Sequence, residues 1–283
     1  MIITNEMGLP ESFVNFVSNA RHNETGTISA TTMLKGEKEI VLTDRHFDEI
    51  TVDASDMVWA TFGSAFHLLM EHQEDDSFKE ERFEVPVGKF TVTGKVDRYD
   101  LEREVLEDWK TASVWKVIYG DFADWKEQGL TYAWLLKQNG LTVKKCRFVA
   151  LLKDHSKTEA KRKADYPQKP VYVYEFEVTD EELAVVENRI VAKVAKVASA
   201  YELEDDKIAP CTAEERWATS DKYAVMKDGR KTALKVCDTK EEAEKLLSEL
   251  GGTRIEERKG ESKKCVDYCP CREFCNFWKS LEK

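Results

Sequence analysis

Alternation of apolar and polar residues between positions 81 and 110 predicts three consecutive β-strands. These strands are Glu81–Val87, Phe90–Tyr99 and Glu104–Lys110. Short strands joined by tight links favour an antiparallel meander. Because the side chains of a strand alternate between its two faces, Asp108 and Lys110 share one face of the third strand. An acid and a lysine in this arrangement usually form a salt bridge at the end of a strand. The pair therefore indicates a functional site only if neighbouring motifs support it.

Apolar residues at helical spacing predict a helix that begins near residue 55, capped by Asp53 or Ser55, and ends near His72. His67 lies at the edge of the apolar stripe, and a lone histidine in such a position is more often a core residue than a ligand. Glu71, one turn further along, is a candidate partner for the second ring nitrogen of His67. The stripe consists of Val58, Trp59, Phe62, Phe66, Leu69 and Met70.

A second helix is predicted from Trp125 to Asn139, because Asn139-Gly140 is a typical helix end. Gln128 and Tyr132 are four residues apart in it and therefore share a face. Among Trp, Ala and Leu neighbours, this polar pair indicates either a contact with another group or a solvated edge.

The rest of the chain up to about position 200 continues to alternate between strands and helices. A capping box at Thr179–Glu182 opens a long helix. The polar and basic stretch Asp154–Lys169 predicts a surface loop. The resulting α-β-β-β-α-β order favours a mixed α/β core in which helices flank a mixed sheet. The remaining predicted elements are a short helix at Pro10–Asn23, strands at Lys145–Leu152 and Val171–Val178, and a stripe of Leu183, Val186, Ile190, Val194 and Val197 in the long helix.

The composition changes after about Glu204, which predicts two domains, 1–205 and 206–283. In the second domain, Asp228-Gly229 between two apolar runs is a hairpin signal. The predicted elements there are strands at Tyr223–Met226, Thr232–Val236 and Thr253–Arg258, and a helix from a capping box at Thr239 to Gly251.

The charge balance of the chain is acidic, with 43 lysines and arginines against 54 aspartates and glutamates, a net charge of −11 over 283 residues. This is not the strongly basic balance of a typical DNA-binding domain, so contact with nucleic acid would need a local basic path. The sequence has no apolar run long enough for a bilayer and no secretory signal, which predicts a cytoplasmic protein without membrane contact.

Four motifs occur in an order that resembles the RecB-like branch of the PD-(D/E)XK nucleases, which includes CRISPR-associated and phage exonucleases. The resemblance extends over roughly residues 25–200. Each motif alone is weak evidence for this family. The resemblance lies in the order of the four motifs and in their placement on the expected helices and strands. The first acid follows Val96 rather than proline, a substitution common in this branch. The motifs are a helix with His67, a strand ending in Asp97, a strand with Asp108-Trp109-Lys110, and a helix with Gln128 and Tyr132.

The resemblance implies a restriction-endonuclease-like core with an active site for Mg²⁺ or Mn²⁺. The implied metal ligands are His67, Asp97, Asp108 and the backbone carbonyl of Trp109. Carboxylates suit Mg²⁺, whereas an imidazole favours Mn²⁺. Lys110 would orient or activate the attacking water and stabilise developing charge.

The implied activity is metal-dependent hydrolysis of DNA, by an exonuclease in phage or prophage DNA recombination or processing. Gln128 and Tyr132 would lie near the DNA backbone or support the active site. The implied partners are DNA and, as a further candidate, a phage recombination or single-strand-binding protein, and ring-shaped oligomers occur among phage exonucleases.

Two basic groups are candidates for contacting DNA, although a charge run is usually a solvated face. The first lies on the predicted hairpin at Arg230 and Lys231, and the second contains Arg162 and Lys163.

Four of the seven cysteines lie between Cys265 and Cys275. In a cytosolic chain this clustering indicates metal binding rather than disulfides. Related nucleases hold an iron–sulfur cluster with one distant cysteine, usually before the catalytic core, and three near the C-terminus; here no cysteine precedes Cys146. The resemblance therefore implies a 4Fe–4S cluster, with Zn²⁺ as the alternative. The proposed ligands are Cys211, Cys265, Cys269 and Cys275, and Cys271 is an alternative to Cys265 or Cys269.

Two other functions stay open at this point. One is a catalytically silent nucleic-acid- or partner-binding protein that retains the nuclease fold, although the intact Asp97, Asp108 and Lys110 argue against it. The other is a redox or zinc-dependent regulator built around the C-terminal cysteines.

Overall fold

The computed structural model of the chain describes residues 1–18, 26–73 and 76–281. It divides into two compact units, Met1–Ile208 and Ala209–Lys283. Among the described residues, no helix is both long enough and apolar enough to cross a membrane.

The first unit is a mixed α/β fold, as predicted. Its strands are β1 (Ile2–Thr4), β2 (Thr27–Ser29), β3 (Thr51–Asp53), β4 (Phe78–Val87), β5 (Phe90–Asp100), β6 (Val105–Ala112), β7 (Lys145–Leu152) and β8 (Val171–Glu177). Its α-helices are α1 (Glu11–Ser18), α2 (Glu37–Arg45), α3 (Val58–Glu71), α4 (Val114–Tyr119), α5 (Ala123–Gln138), α6 (Lys157–Arg162) and α7 (Asp180–Tyr201). The predicted N-terminal helix begins one residue later than expected, and positions 19–23 of that prediction lie outside the described residues.

The central sheet has the order β2-β5-β6-β7-β8, and β4 also pairs with β5. The predicted antiparallel meander β4-β5-β6 is confirmed, and the sheet is mixed because β6 and β7 run parallel. Along one edge, β5 pairs with β2 at Thr91–Thr93 and with β6 at Arg98–Asp100. Between these two stretches the described residues form no ladder on that edge. The strands β5 and β6 therefore separate there, and we call this place the fork.

The helices α5 and α7 supply most of the apolar side chains that cover the sheet. Leu135 and Leu136 of α5 are fully buried, and so is Phe148 of β7. Burying a side chain of this size stabilises the fold by about 1.5–3 kcal/mol. The capping box of Thr179 and the buried stripe of α7 agree with the prediction.

Gly94 lets β5 approach α5 closely. A Cβ atom at this position would lie 2.6 Å from Leu135 Cδ1 and 2.8 Å from the ring of Tyr132. Real side chains do not tolerate such distances, so a glycine is needed for α5 to sit against β5.

Two predictions for the first unit need correction. The stretch Asp154–Lys169 is not a plain surface loop: Ser156 caps the helix α6, and Tyr166 is buried. The described residues cover the apolar stripe of α3 only in part, because Phe66 and Met70 are half-buried and no residue of this helix is fully buried. Periodicity reveals an apolar face but does not tell whether another part of the chain covers it.

The second unit is smaller and more sparsely packed. It contains the strands β9 (Lys222–Met226), β10 (Lys235–Cys237) and β11 (Arg254–Arg258) and the helices α8 (Lys240–Glu249), α9 (Lys263–Asp267) and α10 (Asn276–Leu281). The three strands form an antiparallel sheet in the order β10-β9-β11. Asp228-Gly229 forms the predicted turn, with Gly229 at φ +80°. The strand after it begins at Lys235 rather than Thr232, so the loop is longer than predicted.

Candidate active site

The fork between β5 and β6 brings the two predicted acids together. The β5–β6 ladder ends at the pair Arg98–Glu107. Asp97 and Asp108 occupy the next position of the same register, where the two strands separate. There the Asp97 carboxylate takes the place of a backbone partner: its Oδ2 accepts a hydrogen bond from the N–H of Trp109 at 2.7 Å.

His67 of α3 reaches Asp97, as the motif order implied. Its Nδ1 lies 3.2 Å from Asp97 Oδ1 and 3.4 Å from Glu80 Oε1. The predicted partner Glu71 is exposed, and the described residues show no contact between it and His67. Glu80 contacts His67 instead, but at Nδ1, the same ring nitrogen that faces Asp97.

Glu80 is the site residue that the sequence reasoning missed. Its carboxylate, the imidazole of His67 and the carboxylate of Asp97 each offer a metal-ligating atom, and these atoms lie within 4.8 Å of one another. The other carboxylate oxygen of Glu80 pairs with the ammonium of Lys95. The backbone of Glu80 has φ +52°, in the left-handed region, which costs roughly 1 kcal/mol or more for a residue with a Cβ. Strain of this kind is often found at functional sites.

The hairpin turn between β4 and β5 contains the signal that could have identified Glu80. Val87 pairs with Phe90, which leaves a two-residue loop. Counting seven residues back from Val87 and seven on from Phe90 leads to Glu80 and Asp97, and directly opposite residues share a face of an antiparallel pair. The predicted strand began at Glu81, one residue too late for this count.

A buried polar network surrounds Lys110. The Lys110 Nζ atom lies 2.7 Å from Asp108 Oδ2 and donates a hydrogen bond to Gln128 Oε1 at 2.9 Å. The amide nitrogen of Gln128 donates to the hydroxyl of Tyr132 at 3.1 Å and lies 3.5 Å from Asp108 Oδ1. The predicted pair on α5 is therefore in contact with the acid and the lysine of β6.

Burial and neighbouring charges shift the pKa values of these groups. Burial raises the pKa of Asp108 to about 6, and the charge of Asp97 adds to this rise while the Lys110 ammonium opposes it. Hydrogen bonds to Asp97 and Glu80 raise the pKa of His67 to about 10. Burial also raises the pKa of the Tyr132 phenol, which therefore stays neutral. The carboxylates of Asp97 and Glu80 thus stabilise a positive charge at His67, and the same negative charge would favour a bound metal cation.

The donor set fits a hard or borderline divalent ion. One imidazole nitrogen and two carboxylates, from His67, Glu80 and Asp97, are the ligand types of Mg²⁺ and Mn²⁺. Neighbouring groups hold these carboxylates in place: Lys95 pairs with Glu80, and the Trp109 N–H donates to Asp97. The Asp108 carboxylate contacts Lys110 and Gln128, and its role as a metal ligand stays a prediction. A role for the Trp109 carbonyl stays a prediction.

The predicted DNA-contacting residues lie at the surface. Arg162 and Lys163 both pair with Glu159, at 3.9 Å and 2.9 Å. Arg230 and Lys231 are exposed in the loop between β9 and β10. Their contact with DNA stays a prediction.

All five cysteines proposed for the second metal site lie in the second unit. The Sγ atoms of Cys269 and Cys271 are 3.6 Å apart, and Cys271 is buried. Cys265 is buried as well, whereas Cys211, Cys269 and Cys275 are partly exposed. The Cys269–Cys271 contact makes Cys271 as strong a candidate ligand as its neighbours.

Several solved structures resemble part of the chain, among them the three that follow. The protein SSO0001 matches with a TM-score of 0.44 and 17% identity over 65% of this chain and 81% of that one. An alkaline exonuclease, LHK-Exo from Laribacter hongkongensis, matches with a TM-score of 0.39 and 12% identity over 62% and 90% of the two chains. A phage-related exonuclease from Haemophilus somnus 129PT matches with a TM-score of 0.38 and 14% identity over 60% and 92%.

No protein-family model and no curated protein matches the sequence.

Proposed function

We propose that the first unit hydrolyses DNA phosphodiester bonds with the help of Mg²⁺ or Mn²⁺. The observation that carries this proposal is the cluster of His67, Glu80 and Asp97 beside the buried Asp108–Lys110 pair. The resemblance of the four motifs to RecB-like exonucleases supports attack at DNA ends.

The four ligand residues have distinct tasks in this proposal. Asp97, Asp108 and Glu80 provide negative charge, and His67 provides a nitrogen ligand that sets the preference toward Mn²⁺. A bound divalent ion supplies an activated water near neutral pH and neutralises phosphate charge. The ligands of β4, β5 and β6 belong to one sheet, so their spacing is set by rigid elements rather than by loops.

Lys110 is the fixed cation of the site. Its ammonium is held by Asp108 and by Gln128 Oε1, and its side chain is only 21% exposed. A positive charge that is already in place stabilises the negative charge that develops on the phosphate without further reorganisation.

Gln128 and Tyr132 act by orienting Lys110. The amide nitrogen of Gln128 faces acceptors on Asp108 and Tyr132, which leaves its amide oxygen to accept from Lys110. These two residues are therefore positioning residues in the proposed site.

The direct test compares wild type with Lys110→Ala on end-labelled linear DNA and on closed circular DNA, with Mg²⁺ or Mn²⁺. Losing one preorganised group of this kind usually lowers kcat by about 10²–10³-fold. The matched control is Lys137→Ala, which removes another ion-paired lysine, bound to Asp180 at the far end of α5. We expect metal-dependent loss of linear DNA in wild type and control and almost none in Lys110→Ala.

Two results would argue against the proposal. No degradation of either DNA with any metal would favour a binding protein that retains the nuclease fold. Cutting of the circle that is lost in Lys110→Ala would keep the active site but replace exonuclease with endonuclease action.

A further inference from the structure

Four large aromatic side chains are exposed in two contacting pairs near the candidate active site. On α3, Trp59 and Phe62 are 52% and 47% exposed and meet edge to face, with their ring centroids 6.2 Å apart. On α4, Trp115 and Tyr119 are 54% and 75% exposed and stack at 5.8 Å with 27° between their planes. Single exposed aromatics are ordinary, but grouped ones mark a binding surface.

The helix α3 links the first pair to the active site. Phe66 packs against Trp109 at 5.7 Å, and the backbone at Gly63 lies close enough to β6 for an added Cβ to sit 3.7 Å from Thr111 Oγ1. Trp59 is eight residues before His67, about 12 Å along the helix. A chain bound at His67 and Lys110 therefore passes Trp59 if it continues along this side of β6.

Lys153 and its neighbour Asp154 connect the end of β6 to the two helices that carry the aromatic pairs. Its ammonium lies 4.6 Å from the centroid of the Trp59 ring, and its backbone N–H donates to the carbonyl of Ala112, the last residue of β6, at 3.0 Å. The adjacent Asp154 accepts hydrogen bonds from Ser113 and Val114 at the start of α4, immediately before Trp115. Both pairs thus lie at the end of the strand that carries Asp108 and Lys110.

The charge at this surface suits a polyanion. Lys153 is exposed, and within the residues described no carboxylate forms an ion pair with its ammonium. The charge of the adjacent Asp154 does act on Lys153, but this carboxylate is held by Ser113 and Val114. An unpaired cation next to aromatic faces is the combination that binds single-stranded nucleic acid, because phosphates meet the cation while bases stack on the rings. A protein partner would use the aromatic faces but has no general need for the lysine or for continuity with the active site.

We propose that Trp59, Phe62, Trp115 and Tyr119 form an aromatic shelf that stacks the unpaired bases of a DNA strand held in the active site. The inference rests on the proposed function, since it takes the strand at Lys110 to be DNA. It adds a substrate class, DNA with a single-stranded segment beside the scissile bond. Paired bases are already stacked on each other and offer the shelf no free faces.

The test measures binding without cleavage, in the full-length chain carrying Lys110→Ala. A fluorescein-labelled oligothymidylate and a blunt duplex are titrated, and fluorescence anisotropy gives the Kd of each. Stacking is worth about 1–3 kcal/mol per base, so Trp59→Ala with Phe62→Ala should raise the Kd for oligothymidylate by about tenfold or more. The Kd for the duplex should change much less.

The control is Leu68→Ala. Leu68 is an exposed apolar residue of the same helix, 55% exposed, and nine residues after Trp59 places it on the opposite side of α3. This variant should bind both probes as the parent does, and circular dichroism should show equal helix content in all three proteins. Trp115→Ala with Tyr119→Ala gives a second, independent measurement on α4.

Three results would overturn the shelf. The first is that the Trp59 and Phe62 variant binds oligothymidylate with the same Kd as the Leu68 control, and the second is that its Kd rises equally for the duplex and the single strand. The third is that an oligomer dissociates in the Trp59 and Phe62 variant, seen by light scattering. The last result would assign the face to a second copy of the chain. The nuclease assay separates the two proposals, because wild type that cleaves DNA while the shelf variant binds normally refutes only the shelf. Wild type that cleaves nothing refutes the proposed function, and the anisotropy result then reports on DNA binding alone.

Discussion

The two units of the chain differ in how their folds are held. In Met1–Ile208, the long helices α5 and α7 pack apolar residues against a broad sheet, and residues such as Leu135, Leu136 and Phe148 are fully enclosed. In Ala209–Lys283, Val225, Cys237 and Ala243 form an enclosed apolar cluster, and Ala224 and Met226 are buried in the same sheet. In a unit of this size the core rarely supplies more than about 3–5 kcal/mol, and a metal or a crosslink commonly adds to it.

This difference suggests that apolar packing stabilises the first unit, whereas cysteine ligands of a metal or cluster stabilise the second. The first unit has enough core to hold the buried Asp108–Lys110 pair and the strained backbone of Glu80. The second has little apolar core but five cysteines, with Cys269 and Cys271 in contact. We therefore expect the proposed cysteine site to be necessary for the second unit and irrelevant to the folding of the first.

The largest expected effect comes from Cys269→Ser together with Cys271→Ser. If the cysteines hold a metal or cluster as structural zinc is held, its loss removes on the order of 10 kcal/mol, more than a unit of this size can spare. Limited proteolysis of the full chain should then yield a resistant fragment that ends near Ile208, and elemental analysis should show loss of iron or zinc. Cys237→Ala, which changes a buried thiol of the β-sheet, is the control and should keep its metal.

An unchanged metal content and protease resistance in the double variant would contradict this difference between the two units. The second unit would then be held by its modest core, and the cysteines would need another explanation.

A smaller effect is expected from Gly94→Ala in the first unit. The new methyl group would lie 2.6 Å from Leu135 and 2.8 Å from Tyr132, and overpacking of this kind costs about 1–3 kcal/mol. Because Tyr132 would move away from Gln128, kcat should fall as well, and urea unfolding with a nuclease assay measures both. Gly63→Ala, whose methyl group would meet Thr111 at an ordinary 3.7 Å, should be tolerated; equal behaviour of the two variants would show that α5 does not depend on a close approach to β5.

The smallest expected effect concerns His46, between the ends of α2 and α7. Burial lowers its pKa, but hydrogen bonds to Asp205 and Glu49, both at 2.7 Å, outweigh burial and raise the pKa above 6.5. A raised histidine pKa contributes stability that is fully present below pH 6.5 and is lost as the pH rises through the raised value. Because Glu49 is well exposed and Arg45 also binds Asp205, we expect less than about 1 kcal/mol.

Urea unfolding of wild type and His46→Gln at pH 6 and at pH 9 tests this. The variant should be less stable than wild type at pH 6, and the difference should shrink at pH 9. A difference of equal size at both pH values would show that the contribution of His46 is packing rather than charge.

Local patterns predicted those parts of the fold that depend on neighbours in sequence. The stripe of α7 and its capping box follow from spacing along one helix, and the shared face of Asp108 and Lys110 follows from the alternation of one strand. Gln128 and Tyr132 share a face for the same reason. Their contact with Lys110 required the motif order, because spacing within α5 does not show what the helix faces.

The residues that were missed depend on contacts between distant segments. Glu80 joins the site through the register of β4 with β5 and through a backbone conformation that propensities do not favour. The exposure of Trp59 and Phe62 depends on the absence of a covering element in the described chain, which the period of α3 does not encode. The helix α6 has only six residues, too few for a periodic signal.

The central claim is that His67, Glu80, Asp97 and Asp108 hold a divalent ion, and titration calorimetry with Mn²⁺ tests it most directly. The account predicts binding by wild type and at least about tenfold weaker binding in Asp97→Asn and in Glu80→Gln, because losing even a partner that only orients a ligand costs about 10–100-fold. Glu84→Gln, an exposed acid of the same strand, is the control and should bind as wild type does. Mn²⁺ affinity that is equal in all four proteins would contradict the claim.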